Sequence, residues 1–335
     1  MKALEVDLLY RHPGPFCSVE VLFDTVMKHF PDRICARREV APAGGASPLT
    51  VARNILWARR RRADVFHVTG DTHYLELGLP AGRSLLTVLD LRLVSGRPTL
   101  RKAILYWIWF RLPLRRAKYI SVISEATKEE LLKRVAVDPA RVSVVPCCVS
   151  AEFIPKPREF NASKPVILQV GTTDNKNLKR VIEALRGLSC ELRILGKLNE
   201  DQRAHLRAAE IDHREYFDLS TAEVVGLYQD CDLVCFVSLY EGFGMPVIEG
   251  NAVGRPVITS NVSSLPEVSG DAALQVDPLD IGAIRAGLGR LIADAGLRRE
   301  LVDRGGRNCR RFSASAVAGR YAELYQRINS EASRS

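Results

Sequence analysis

Short apolar runs recur along this chain, and most are followed by a segment whose apolar positions repeat every three or four residues. The runs Leu4–Tyr10, Ala63–Val68, Ser84–Leu89, Tyr119–Ile123 and Val142–Val145 read as strands. After a proline-marked stretch, Pro155 to Pro165, the pattern restarts with Pro165–Val170, Glu191–Leu195, Leu233–Val237 and Pro256–Thr259. Helical spacing falls on Ser18–Phe30, with Ser18 as N-cap, and on Glu125–Arg134, with Ser124 as N-cap. It returns at Leu178–Leu188, Ile281–Ala293 and Ala314–Ile328. Strands alternating with helices predict βαβ units and parallel sheets. The proline stretch near 155–165 then separates two successive open α/β domains. In such sheets ligands bind beyond the carboxyl ends of the strands, and with two domains the cleft between them is the expected site.

Composition agrees with two domains. The chain has 335 residues, 47% hydrophobic and 26% charged, near the globular average. No apolar run approaches the roughly 20 residues of a membrane-spanning helix. Glu5 and Asp7 interrupt the first apolar run, so it makes a poor signal peptide. The eight cysteines contain no CxxC pair, which argues against a zinc ribbon or a disulfide scaffold and for a reducing cytoplasm.

Charge changes the picture. Residues 1–160 hold 26 Lys and Arg against 16 Asp and Glu, and the remainder 22 against 23, so the excess of +9 comes from the first half. A one-sided basic half suggests a phosphate-bearing partner. Part of it is the run Arg59–Arg62. The rest clusters in Arg97–Lys118, around the apolar patch Ile104–Phe110 with Trp107 and Trp109. Tryptophan rings among Lys and Arg stems suit the headgroup layer of an anionic membrane. Burial of the patch against the domain core is the structural alternative. No helix-turn-helix, RNP-like or zinc-finger pattern accompanies the charge, so nucleic acid is not expected.

The chemistry concentrates in two strand-to-helix loops. Tyr240-Glu241-Gly242-Phe243-Gly244-Met245-Pro246-Val247-Ile248-Glu249 follows a buried-type strand and precedes a helix that opens at Pro246. Its glycines let backbone approach a ligand, and free N–H groups at a helix start favour an anion. Glu241 lies in the loop and Glu249 in the first two turns of the helix, a Glu-x7-Glu spacing. Lys176 sits in Gly171-Thr172-Thr173-Asp174-Asn175-Lys176-Asn177, where it can offer a point charge to a phosphate. The sequence contains neither a G-x-G-x-x-G nor a G-x-x-x-x-G-K-[ST] motif, no G-x-S-x-G elbow and no histidine-rich metal pattern.

Taken together, Leu239 to Glu249, Gly254-Arg255-Pro256-Val257-Ile258-Thr259, Ser264 to Ala273 and Asp277-Pro278 resemble the E-x7-E region of the family 4 retaining glycosyltransferases. Val170-Gly171 with Lys176-Asn177-Leu178 resembles that family's phosphate loop, and Val145-Pro146 with Phe153-Ile154-Pro155 its interdomain segment. The resemblance is strong over about 165–280 and weak before. It implies the GT-B fold: two Rossmann-like domains facing each other across a cleft. Residues 1–158 would form the acceptor domain and 159–313 the nucleotide-sugar donor domain, the helix 314–330 packing back on the first. It implies a hexosyltransferase that retains anomeric configuration, takes a UDP- or GDP-sugar, and needs no metal and no other cofactor. The acceptor would be a glycan or glycolipid in cell-surface polysaccharide or lipopolysaccharide assembly, at the cytoplasmic face of the inner membrane.

Residue by residue, Glu249 would hold the ribose hydroxyls and Glu241 the sugar ring. Gly242, Phe243 and Gly244, leading into Met245 and Pro246, would meet sugar and diphosphate. Lys176, with Gly171, Thr172 and Asn177, would hold the leaving diphosphate. Two positions depart from the family. Thr172 stands where an arginine is usual, and Leu89 of Thr87-Val88-Leu89-Asp90 where a site histidine is usual. Asp90, at a strand end, and His73, in what reads as a polar loop Thr69–Tyr74, are the candidate catalytic replacements; His67 and His12 are weaker ones. Pro146-Cys147-Cys148 replaces the usual Asn-Gly, and both cysteines read as packing. Thr172 and Leu89 also keep open a non-catalytic partner that binds a nucleotide sugar or a transferase subunit. A different enzyme of similar fold, an epimerase or a phosphorylase, fits the E-x7-E loop less well.

Overall fold

The computed structural model describes residues 3–14, 18–91 and 106–334. The chain divides into two compact units, residues 1–148 with 314–335, and residues 149–313. Each holds a six-stranded, all-parallel sheet.

In the first unit the strands are β1 (Leu4–Tyr10), β2 (Ile34–Val40), β3 (Val65–Val68), β4 (Ser84–Val88), β5 (Tyr119–Val122) and β6 (Val142–Val144), in the order β2-β1-β3-β4-β5-β6. The interior strands β3, β4 and β5 are buried at every residue, as expected of a parallel sheet covered on both faces. One face carries Phe66, Leu86, Ile120, Phe110 and Leu114. The other carries Leu8, Phe23 and Val65, and it is closed by the helix Ala314–Ala332 through Val317, Tyr321, Tyr325 and Ile328.

That closure has a polar centre. His67, fully buried on β3, meets the Tyr325 hydroxyl with Nδ1 at 2.7 Å and the Thr87 hydroxyl with Nε2 at 2.6 Å. Phe23 stands edge-on to the ring at 5.0 Å. His67 is therefore a core residue of this unit.

The second unit contains β7 (Val166–Val170), β8 (Glu191–Leu195), β9 (His213–Tyr216), β10 (Leu233–Phe236), β11 (Val257–Ser260) and β12 (Leu274–Val276), in the order β12-β11-β10-β7-β8-β9. This is the doubly wound dinucleotide-type order, and the direction in which successive strands are added reverses between β7 and β10, all strands staying parallel. Three strands escape the hydrophobic pattern: β2, β9 and β12. All three lie at sheet edges, and two carry charges in place of an apolar run, ICARREV and HREY. Two further helices, Glu200–Ala208 and Thr221–Gln229, begin at the capping boxes Asn199-x-x-Gln202 and Ser220-x-x-Glu223.

The segment read as a polar loop after β3 is a correction. Thr69, Thr72, His73 and Tyr74 are buried, and His73–Gly78 forms a 3₁₀ helix. The polar residues are drawn inward because Trp109 and Phe110, distant in sequence, pack over them. The helix from Ser18 ends at Met27, three residues before Phe30. Of the basic stretch, Arg97–Leu105 lies outside the described residues.

Burial holds the His67 imidazole neutral and pushes its pKa down to about 3. An unfolded histidine takes up a proton below about 6.5. Between these values the unfolded chain binds the extra proton, so stability falls as pH drops, by up to about 1.4 kcal/mol per pH unit. Replacing His67 with Leu should flatten the pH dependence of the unfolding free energy, measured in urea between pH 6 and pH 4.5. An unchanged slope would assign the acid sensitivity elsewhere.

Candidate functional site

The reversal between β7 and β10 leaves two loops side by side. After β7, Gly171 adopts φ +88°, and a Cβ there would stand 2.7 Å from Lys176 Cγ. The aliphatic stem of Lys176 thus lies directly on the glycine, which only a residue without a side chain permits. A 3₁₀ turn, Asp174–Lys176, leads to Asn177 at φ +60°. Asn177 Nδ2 donates to the carbonyls of Val237, at 3.0 Å, and Pro278, at 2.7 Å, tying this loop to those after β10 and β12. Gln169 Nε2 donates to the Lys176 carbonyl at 2.9 Å.

The loop after β10 is pinned from the other side. Leu239 N–H donates to the Asn175 carbonyl at 2.8 Å. Ser263 and Ser264 hydroxyls donate to the Glu241 carbonyl at 2.6 and 2.9 Å, and Ser264 also reaches the Phe243 carbonyl at 2.7 Å. Gly244, at φ +111°, caps the helix Met245–Ala252, with Pro246 in its first turn. A Cβ at Gly244 would meet Leu265 Cδ2 at 2.5 Å.

These constraints bring two sequence-predicted residues into contact. Lys176 Nζ lies 2.6 Å from Glu241 Oε1 and 4.7 Å above the Phe236 ring, with both charged side chains mostly covered. Asn175 Nδ2 reaches Glu241 Oε1 at 3.3 Å. Beyond its pair with Glu241, the Lys176 ammonium keeps further N–H donors, and with those at the helix start they can meet an anion. Thr172 is engaged elsewhere: its hydroxyl donates to the Lys197 carbonyl at 2.8 Å, and its carbonyl accepts from Gln202 Nε2 at 2.6 Å.

Glu249, in the second turn of Met245–Ala252, is half-buried and accepts a hydrogen bond from the buried Tyr228 hydroxyl at 2.5 Å. Burial pushes its carboxyl up to about 7, against the opposing pull of the Tyr228 hydrogen bond and of the Lys176 charge. Tyr228 and Ser263 escaped sequence reasoning, and Ser264 entered it only as the start of the Ser264–Ala273 run, without this role. Each acts across some twenty residues, and no local motif marks such a pairing.

In the first unit Asp90 is partly exposed just beyond β4. His73 is 3% exposed, its ring edge-on to Phe110 and Nδ1 at 3.2 Å from the Trp109 carbonyl. Desolvation lowers its pKa, so it is held neutral. Leu89 lies over Gly70, 2.8 Å from where a Cβ would stand. His12 is exposed, with Nδ1 at 3.2 Å from the Pro13 carbonyl. Cys147 and Cys148 are buried, and desolvation raises both thiols, as packing residues require. Among the described residues no three or more His, Cys, Asp or Glu side chains gather as a metal-holding group.

Two family models match adjacent stretches and together take in almost the whole chain. "Glycosyltransferase Family 4" matches residues 2–153, and "Glycosyl transferases group 1" matches residues 150–307. The chain belongs to glycosyltransferase family 4.

Among curated members of the family it is 29% identical over 248 residues to an MMP alpha-(1->4)-mannosyltransferase of Mycolicibacterium hassiacum, covering 65% of this chain and 60% of that one. It is 29% identical over 221 residues to the O-antigen chain mannosyltransferase B of Escherichia coli, covering 60% and 58%. The match thus spans about three-fifths of the length of these relatives. Solved structures share the fold at low identity. A sucrose-phosphate synthase from Thermosynechococcus elongatus superposes with a TM-score of 0.77 at 16% identity, over 98% of this chain and 100% of that one. Anabaena HepE in complex with UDP and glucose does so with a TM-score of 0.75 at 14% identity, over 96% and 99%.

The raised carboxyl of Glu249 has a thermodynamic consequence. Its folded pKa lies above the unfolded value, so the folded state binds the extra proton between about pH 4.5 and 7. Stability is therefore lost as pH rises through that window and stays lower above it. Glu249→Gln keeps an acceptor for Tyr228 and removes the charge. It should raise the urea unfolding free energy at pH 8 by about 1–3 kcal/mol, with the gain vanishing near pH 4.5. An equal effect at both pH values would sink this account.

Proposed function

We propose that this chain is a retaining glycosyltransferase moving a hexosyl group from a nucleotide-diphosphate sugar to a glycan or glycolipid acceptor in cell-surface polysaccharide assembly. The observation that carries it is the Lys176–Glu241 pair, fixed at the strand reversal beside the helix start at Gly244. The anomeric C–O bond breaks and its electron pair leaves on the diphosphate, while the acceptor hydroxyl oxygen bonds to the anomeric carbon and its proton passes to the departing phosphate oxygen. Lys176 and the N–H groups that open Met245–Ala252 oppose the charge that builds there, without calling on a metal. Glu241 borders the sugar, and Glu249, oriented by Tyr228, takes the ribose hydroxyls. Gly171, Asn177, Gly242, Phe243, Met245 and Pro246 shape the donor loops; Thr172 serves through its bonds to Lys197 and Gln202.

In the first unit Asp90 is the candidate for the acceptor side, and His73, sealed under Trp109 and Phe110, is assigned a packing role. The names of the two curated relatives make mannose the first sugar to test, offered as GDP-mannose; a UDP-sugar is the alternative. Thr172 and Leu89 support the second reading, a partner that binds a nucleotide sugar without turning it over.

Lys176→Ala should lower sugar transfer by about 10²–10³-fold, the loss usual when one donor to a developing anion is removed. Transfer is followed with GDP-mannose and UDP-glucose, and nucleotide binding by calorimetry. Wild-type turnover in Lys176→Ala would reject the site. Nucleotide-sugar binding with neither transfer nor hydrolysis would favour the non-catalytic partner.

We further propose that the basic first unit rests on an anionic membrane. Trp107 and Leu112 are 41% and 43% exposed, and the Arg111 guanidinium stacks 4.6 Å from the Trp107 ring, with Arg115 exposed beside them. Among the described residues no helix is long and apolar enough to cross a membrane. Reversing the charge of Arg111 and Arg115 should reduce co-sedimentation with phosphatidylglycerol vesicles several-fold. Unchanged binding would count against this surface.

A further inference from the structure

Beside the residues that enter β10 and β11, at the end of the second sheet opposite the Lys176 and Glu241 loops, lies a cavity of about 560 Å³. Phe160, Val253, Pro256 and Val302 supply its apolar surface. The volume falls in the range of about 300–1,000 Å³ common for small-molecule sites. Nothing in the proposed transfer reaction uses it.

Charge around the cavity is unbalanced. Lys156, Arg158, Arg255, Arg298 and Arg299 line it against two carboxylates, Asp232 and Asp303. Asp232 is already committed: its buried carboxylate accepts from Arg158 Nε at 2.9 Å, from Val166 N–H at 2.8 Å and from Asn161 N–H at 3.3 Å. Lys156 pairs with Asp230 at 2.9 Å. Arg255 is 3% exposed, and its hydrogen bonds run to the carbonyls of Cys231, Lys156, Val253, Gly254 and Gln229. Carbonyls satisfy N–H groups but do not cancel a charge, and burial pulls the pKa of this guanidinium down.

Two arginines at the cavity retain donors. Arg298 Nη1 donates to the Leu291 and Ile292 carbonyls at 2.8 and 2.7 Å, and its guanidinium lies 3.8 Å from the Phe160 ring centroid. Its Nε and Nη2 have no hydrogen-bond partner among the described residues. Arg299 is exposed and has neither hydrogen bond nor ion pair among the described residues. Both stand in the first two turns of the helix Ala295–Asn308, whose positive end adds to theirs.

We propose that this cavity binds a small amphiphilic anion, a phosphate or carboxylate head on an apolar body. The head meets Arg298 and Arg299, and the body lies against Val253, Pro256 and Val302. Inorganic phosphate would leave the apolar surface uncovered, and a neutral alcohol would leave the arginines unanswered. Both halves of the ligand follow from the lining.

The test is calorimetric titration of the full chain with octyl phosphate, octanoate, inorganic phosphate and octanol. At least one of the two amphiphilic anions should bind at least about tenfold more tightly than inorganic phosphate or octanol, and the stronger of the two names the head group. Arg299→Glu, an exposed substitution that leaves the core intact, should weaken that binding by about tenfold or more, as loss of a charge-assisted contact requires. Val302→Trp, which fills the cavity, should abolish it with an unchanged far-UV circular dichroism spectrum. Equal affinity for inorganic phosphate or octanol overturns the proposal. So does wild-type affinity in Arg299→Glu or in folded Val302→Trp, and so does failure of both anions to bind at millimolar concentration.

Discussion

The reversal of strand order between β7 and β10 is the constraint on which the candidate site depends. Adjacent parallel strands whose connections depart in opposite directions leave a gap at their carboxyl ends that neither helix covers. The Lys176 loop and the Glu241 loop border that gap. Their conformations are then fixed by close approach: Lys176 lies on Gly171, Leu265 on Gly244, and Asn177 and the serines 263 and 264 bind loop carbonyls. The backbone is set before any ligand arrives, the condition under which oriented dipoles stabilise developing charge most strongly.

The site carries opposing electrostatic loads. Lys176 and Glu241 balance one another's charge in their ion pair. Among the described residues Glu249 has no such cation in contact and is held by the Tyr228 hydroxyl instead. A carboxylate kept in poor solvent for its charge is unfavourable to the fold and advantageous to a partner rich in hydroxyl donors, such as a ribose. Tension between stability and recognition of this kind is common at binding sites.

Legibility in the sequence followed burial. Interior strands such as SLLTV, YISV, VILQV and LVCF are covered on both faces and announce themselves as short, mostly apolar runs without charge. The edge strands ICARREV and HREY face solvent on one side and have no such signature. The two site loops were readable because glycine, lysine and glutamate stand at strand-to-helix junctions. The roles of Tyr228, Ser263 and Ser264 were not, since their partners come from elements placed by the sheet rather than by neighbours in the chain. The burial of His73 was hidden for the same reason. Its polar surroundings in sequence gave no sign of Phe110 and Trp109, which arrive more than thirty residues later and bury it.

The hydrogen bond from β3 to the helix Ala314–Ala332 also dictates the order of assembly. His67 needs Tyr325, and the face of the first sheet needs Val317, Tyr321 and Ile328. On a translating ribosome the strands of that sheet emerge early, yet their cover follows only after all of residues 149–313 has been made. The second unit, contiguous in sequence, can close first, while the older half of the polypeptide waits with an apolar surface unsheltered.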